Sequence, residues 1–203
     1  MKLLLTSNGL TTSAIQTAFF ELVSKKPADI KLAFIPTAAD PEEDKTFVDQ
    51  TIKQLLELGL APTMIDLKNC LPETIAQTLS SFDVIYVNGG NTFYLLYWAL
   101  KSGFYEYMKS GKADHQLYVG SSAGSMLTNP TIEVAYWKGW ADPSVVKLES
   151  LNGLNLVDFY IFAHYGEQWQ EVVEEKKKTL NGELYALEDK QALSVINKKV
   201  NLI

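Results

Sequence analysis

Three of the five residues from Ser121 to Ser125 are serines, but only one has neighbours that would give its hydroxyl chemistry to do. Ser122 is the centre of Gly120-Ser121-Ser122-Ala123-Gly124, a Gly-x-Ser-x-Gly pattern that follows the apolar run QLYV and leads into a short helical stretch. A strand that reverses sharply into a helix brings backbones too close for a β-carbon on either side. The glycines are therefore required sterically, and the central serine is held on a strained turn. Its hydroxyl then projects over the sheet edge, and the first amide of the helix, at Ala123, faces any negative oxygen that forms beside it. Ser121 and Ser125 lack these flanks. The plainer alternative is a small-residue turn whose serines cap the helix.

A serine nucleophile needs a base, and the chain has two histidines. His115 precedes Ser122 on the same strand, so at about 3.3 Å per residue it lies roughly 23 Å away, at the wrong end of the sheet. His164 closes the run DFYIFAH, which places it at the carboxyl end of a strand, where the crevice of an open parallel sheet lies. The acids on plausible loops that could orient its imidazole are Glu133, Asp142, Glu167, Glu188 and Asp189. Of these, the acids ending ELYALED could fold back beside the histidine. In VNGGNTF, Gly89 and Gly90 end another strand, and Asn91 or Thr92 can cap the next helix. An amide from this loop and that of Ala123 would form an oxyanion hole; alternatively, the two glycines simply make a tight turn.

The frame that must position these groups is an alternation of apolar runs and amphipathic stretches. KLLLT, IKLAFIP, TMIDL, DVIYVNGG and QLYVG read as strands, each followed by a helical pattern. Such alternation predicts an α/β fold, a three-layer αβα sandwich around a mainly parallel sheet. Helices are expected to begin near Pro41 and after Pro72. Beyond about residue 130 the pattern loosens, then gives a strand DFYIFAHY, a polar helix EQWQEVVEEKKKTLNG, and a hairpin-rich edge from ELYALED, ALSVIN and KVNLI. There is no internal repeat and no linker, so residues 1–203 are read as one domain.

Composition narrows the function classes. With 47% hydrophobic and 21% charged residues, the 203-residue chain has the balance of a soluble globular protein. The opening MKLLLTSNG is too short for a secretory h-region or a membrane span and reads as a first strand. A net charge of -6 lacks the electrostatic footprint of a nucleic-acid binder. A single cysteine, Cys70, fits a reducing cytoplasm, and two histidines with one cysteine make metal ligation thin. All 18 basic residues are lysine, so the usual bidentate clamp for a carboxylate is missing.

Taken together, LLLTSNG, VNGGNTFYLL, GSSAGSM and LNLVDFYIFAHY, in this order and spacing, resemble the peptidase E (aspartyl dipeptidase) and cyanophycinase-like family of serine peptidases. That resemblance implies a class I glutamine amidotransferase-like fold, Ser122 as nucleophile, His164 as base, and Gly89 or Gly90 with Ala123 around the oxyanion. It also implies hydrolysis of small peptides, Asp-X dipeptides among them, by a monomer or homodimer needing no cofactor or metal. The family's third catalytic residue is placed either between serine and histidine, here near Trp137 where no acid stands, or near the C-terminus, which selects Asp189 over Glu188. Family members carry an arginine-containing segment after the histidine; GEQWQEVVEEKKK stands there instead, so lysine replaces it or strict Asp-X preference is lost. Two rival readings are an esterase or other acyl hydrolase of the same fold, and a non-catalytic binding homologue using Trp137, Trp140 and Trp169 as a ligand surface.

Overall fold

The computed structural model describes residues 1–203. Strands β1 (Lys2–Thr6), β2 (Lys31–Ile35), β3 (Ala61–Met64), β4 (Val84–Val87) and β5 (Leu117–Ser121) are parallel. Their helices are α1 (Ser13–Val23), α2 (Thr46–Glu57), α3 (Ile75–Leu79), α4 (Thr92–Lys101), α5 (Phe104–Lys109) and the short α6 (Ala123–Met126). Strands β6 (Tyr160–Phe162) and β7 (Leu184–Ala186) flank helix α7 (Gln170–Lys176), and β8 (Ala192–Ile196) and β9 (Lys199–Leu202) end the chain. The main sheet has the order β3-β2-β4-β5-β1-β8-β9, with β8 antiparallel to β1 and β9 antiparallel to β8.

Alternation along the strands builds two cores. Leu3, Leu5, Ile85, Val87 and Tyr118 face α3, α4 and α5, whereas Leu4, Phe34, Tyr86 and Val119 face α1 and α2. The parallel strands are buried on both faces, as near-continuous apolar runs require, giving the αβα sandwich of a class I glutamine amidotransferase-like fold. None of the helices is long and apolar enough to cross a membrane.

Three local expectations need correction. Helix α2 starts at Thr46 rather than near Pro41, because the Asp44 carboxylate accepts from the Thr46 amide at 2.8 Å and closes the turn before it. Strand β3 ends at Met64, short of the IDL that the apolar run suggests, since Asp66 accepts from Lys68 N at 3.0 Å and starts a 3₁₀ turn. The C-terminal segments do not form one hairpin-rich edge. Only β8 and β9 do, through a left-handed Asn197-Lys198 turn, while β7 pairs in parallel with β6 in a separate two-stranded sheet. Tyr160 and Phe162 pack there against Val134 and Val173 rather than joining the main core.

The pairing of β6 with β7 brings the end of one strand beside the end of the other. Leu187 N donates to Phe162 O at 2.9 Å and Tyr165 N to Leu187 O at 2.8 Å, so residues 163–165 and 187–189 run side by side. That register carries His164 and Asp189 to the same rim.

Candidate active site

Ser122 follows the last residue of β5 with φ 51° and ψ -109°, a conformation that L-residues rarely adopt and that costs on the order of 1–3 kcal/mol. The flanking glycines show what holds it there. A β-carbon on Gly124 would lie 2.1 Å from Val87 O, and one on Gly120 2.7 Å from the Gly124 carbonyl carbon, so the elbow closes only without side chains at these positions. Ser125, the rival serine, donates to Thr6 O at 2.7 Å and is fully buried; its hydroxyl ties the elbow helix to β1. Ser121 is buried in the strand.

His164 Nε2 lies 2.9 Å from Ser122 Oγ, and His164 Nδ1 lies 2.6 Å from Asp189 Oδ1. An ionised carboxylate can only accept, so Nδ1 carries the hydrogen and Nε2 is left to accept from the serine hydroxyl. The Asp189 side chain is 58% exposed and that of His164 26%, so the pair is wet at its far end and acts through orientation rather than as a source of stability.

The other acids stand apart from the imidazole. Glu133 accepts from Thr131 Oγ1 at 2.7 Å, Asp142 from Ser144 N at 2.8 Å, and Glu167 opens a 3₁₀ turn. Glu188 is exposed, with its amide tied to Gln191 Oε1 at 2.9 Å. His115 is exposed, with its ring 3.3 Å from Ser80 O and away from the elbow.

The glycine loop lies against the elbow. A β-carbon on Gly89 would sit 3.2 Å from Ser122 Cβ, so nothing separates this backbone from the serine. Gly90 has φ 131°, and a β-carbon there would lie 2.3 Å from Ala38 O. Asn91 then caps α4, its Oδ1 accepting from Phe93 N and Tyr94 N at 3.0 Å, while its own amide N–H donates to Ala38 O at 2.7 Å and anchors the loop. The Ala123 amide is the first of α6 and has no carbonyl one turn back to bond within the helix.

Ser122, His164, Gly89, Gly90, Lys138 and Trp140 are among the residues lining a cavity of about 670 Å³. Helix α2 lends it Gln50, Thr51 and Gln54 together with Phe47, and Trp140 and Phe162 add further aromatic wall. Burial alone pushes up the pKa of Glu42 on the rim of this cavity. Trp140 is 61% exposed and lies edge-on to Trp169, whereas Trp137 stacks on Phe162 with ring centroids 5.5 Å apart.

A model of Peptidase family S51 matches residues 3–203. The chain belongs to that family. It is 32% identical to an uncharacterized peptidase of Pasteurella multocida and 34% identical to one of Listeria innocua, covering 82% or 83% of this chain and 82% of each relative. A Nostoc peptidase E is 29% identical over 66% of this chain and 52% of its own length. A crystal structure of a candidate peptidase E protein from Listeria monocytogenes superposes with TM-score 0.84 at 29% identity, covering 100% of this chain and 97% of that one. The protein is thus a peptidase by family, and the elbow serine, strand-end histidine and glycine loop meet at one cavity within it.

Two residues at the site were not singled out by sequence. Ser7, in the SNG that ends β1, accepts from His164 N at 2.7 Å and donates to Leu187 O at 3.1 Å, joining the two segments that carry His164 and Asp189. Its position at a strand end was the available signal. Ser7→Ala would remove both bonds; Leu187 O keeps its bond from Tyr165 N, but the His164 amide is left to find water, so the variant is expected to destabilise by about 1–3 kcal/mol and to slow hydrolysis about ten- to a hundredfold. Chemical denaturation and steady-state rates on the same preparation read the two effects. Lys138, next to the tryptophan where family analogy looks for an acid, gave no chemical signal in sequence.

Proposed function

We propose that the protein is a serine-type peptidase acting on small peptides through an acyl-enzyme on Ser122. The observation that carries this reading is the unbroken Ser122–His164–Asp189 hydrogen-bond relay opening on the cavity. Ser122 Oγ attacks the scissile carbonyl carbon as its proton passes to His164 Nε2. Asp189 keeps the imidazole in the tautomer and orientation that accept it. The carbonyl oxygen becomes an oxyanion facing the amides of Ala123 and of Gly90 in the Gly89-Gly90 loop. Collapse breaks the C–N bond, His164 returns the proton to the leaving amine, and a water deprotonated by the same imidazole releases the acid and regenerates the serine.

The substrate reading follows from the walls. Lys138 is the one lysine lining the cavity, and its ammonium already donates to two backbone carbonyls. A point charge with most of its donors committed discriminates less than a free guanidinium fork. Asp-X dipeptides are therefore expected to be cleaved with at most about a tenfold advantage in kcat/KM over neutral X-X dipeptides, a difference of about 1.4 kcal/mol. A reducing cytoplasm is the setting that suits one half-buried cysteine.

The test is labelling with a fluorophosphonate, read by intact mass and peptide mapping, beside turnover of a dipeptide panel that includes a small nitrophenyl ester. One adduct per chain, mapped to Ser122, together with peptide cleavage is expected. Cleavage that persists after Ser122 is fully labelled would sink the acyl-enzyme account, and turnover of the ester alone would make the protein an esterase.

A further inference from the structure

Lys138 lies in the turn after the 3₁₀ segment Glu133–Tyr136, and its side chain crosses to the end of β6. There the ammonium donates to Ala163 O at 2.8 Å and to His164 O. It sits over three aromatic rings, with Nζ 4.1 Å from the Trp140 centroid, 4.6 Å from Phe162 and 5.2 Å from Trp169. Aromatic faces attract a cation, the more strongly the further it is desolvated, and Lys138 is half-buried here. The Trp140 ring also lies 6.2 Å from the His164 ring, so the cage and the base share a wall.

The backbone that this ammonium grips is strained. His164 is a non-glycine residue at φ 54°, and the ladder between β6 and β7 satisfies its neighbours rather than His164 itself. Both peptide groups of His164 are instead held by side chains, the amide by Ser7 Oγ and the carbonyl by Lys138.

We propose that Lys138 is a positioning residue for the base: caged by Trp140, Phe162 and Trp169, its ammonium clamps the Ala163 and His164 carbonyls and so holds the imidazole in line between Ser122 and Asp189. This rests on the peptidase reading for its catalytic consequence, and on the contacts alone for the clamp. Burial lowers the Lys138 pKa to about 8, with Asp189 acting in the opposite direction. Asp189, from the segment after β7, is the charged group acting on the ammonium; the His164 imidazole shares the Trp140 wall, and the 3₁₀ turn Glu167–Trp169, which also carries Glu167, lends Trp169 to the cage. Below about pH 8 the lysine is charged and the clamp is at full strength; above it the amine donates weaker, neutral bonds.

The test uses the full chain with K138M, which fills the cage without donating, and K138R, which keeps charge and donors. In wild type, fluorophosphonate labelling of Ser122 is expected to rise to a plateau and then fall about three- to tenfold above about pH 8 as the ammonium is lost. K138M should label about 10- to 100-fold more slowly below that pH, with no alkaline fall of its own. K138R should recover to within about fivefold of wild type and carry the fall at least about one pH unit higher, because a guanidinium stays protonated. Wild-type labelling in K138M, or an unmoved alkaline fall in K138R, overturns the proposal.

The low-field proton signal of His164 Nδ1–H, bonded to Asp189, gives a readout free of catalysis. It is expected in wild type and K138R and lost to exchange in K138M. If wild type does not label at all, the peptidase reading falls while this signal still judges the clamp, and its persistence in K138M overturns it.

Discussion

Ser122→Ala and His164→Ala should each lower kcat by about 10⁵- to 10⁶-fold, and the double variant should be no slower than either alone. The reason is the 2.9 Å contact between Ser122 Oγ and His164 Nε2. Without the imidazole the hydroxyl has no acceptor for its proton, and without the hydroxyl the imidazole has no proton to take, so removing the second member removes nothing further. About 10³-fold acceleration over water should survive, supplied by the Ala123 and Gly-loop amides and by binding. Asp189→Asn belongs to the same series. An amide there can offer its N–H to Nδ1 and invert the tautomer, so a loss of about 10²- to 10⁴-fold is expected, tempered by the exposure that lets water substitute for the carboxylate. Single-turnover rates at saturating peptide for the two single variants and the double one provide the measurement. Additive losses would mean that the two side chains act on separate steps, and the relay would lose its meaning.

How much of this was legible in the sequence depends on whether a residue's role is local. The elbow could be read because its constraint lies within five residues: Gly120 and Gly124 are forced by the turn they flank. His164 could be read because the alternative, His115, sits at the other end of β5. The parallel strands could be read because double burial leaves continuous apolar runs, as in Val84–Val87. What could not be read depends on contacts distant in sequence. Asp189 was named among the acids ending ELYALED and singled out through the resemblance, but the pairing that brings it to His164, β7 parallel to β6 rather than in a hairpin with β8, was not legible there. Ser7 bridges residues 164 and 187 across the sheet. Lys138 is an ordinary surface lysine by composition and becomes a caged cation only when Trp140, Phe162 and Trp169 converge. Boundary errors at α2 and β3 share one cause, an aspartate side chain that bonds a nearby amide and competes with the regular backbone pattern.

The steric claim about the elbow leads to the largest expected change in stability. Gly124→Ala should destabilise the fold by about 3–5 kcal/mol, lowering Tm by roughly 10 °C in a chain of this size. The new methyl group would lie 2.1 Å from Val87 O and 2.8 Å from Val87 C, atoms of a central strand paired on both sides, so neither wall can yield without disturbing the sheet. Gly139→Ala is the matched control, since that residue has φ +66° but nothing within 4 Å of a built β-carbon. It carries only the backbone penalty, about 1 kcal/mol. Urea denaturation of both variants separates close approach from left-handed conformation. Gly124 lies inside α6 without a positive φ and carries no such backbone penalty, so equal losses would show that the helix has room to move off β4, which would also loosen the placement of the Ala123 amide beside Ser122.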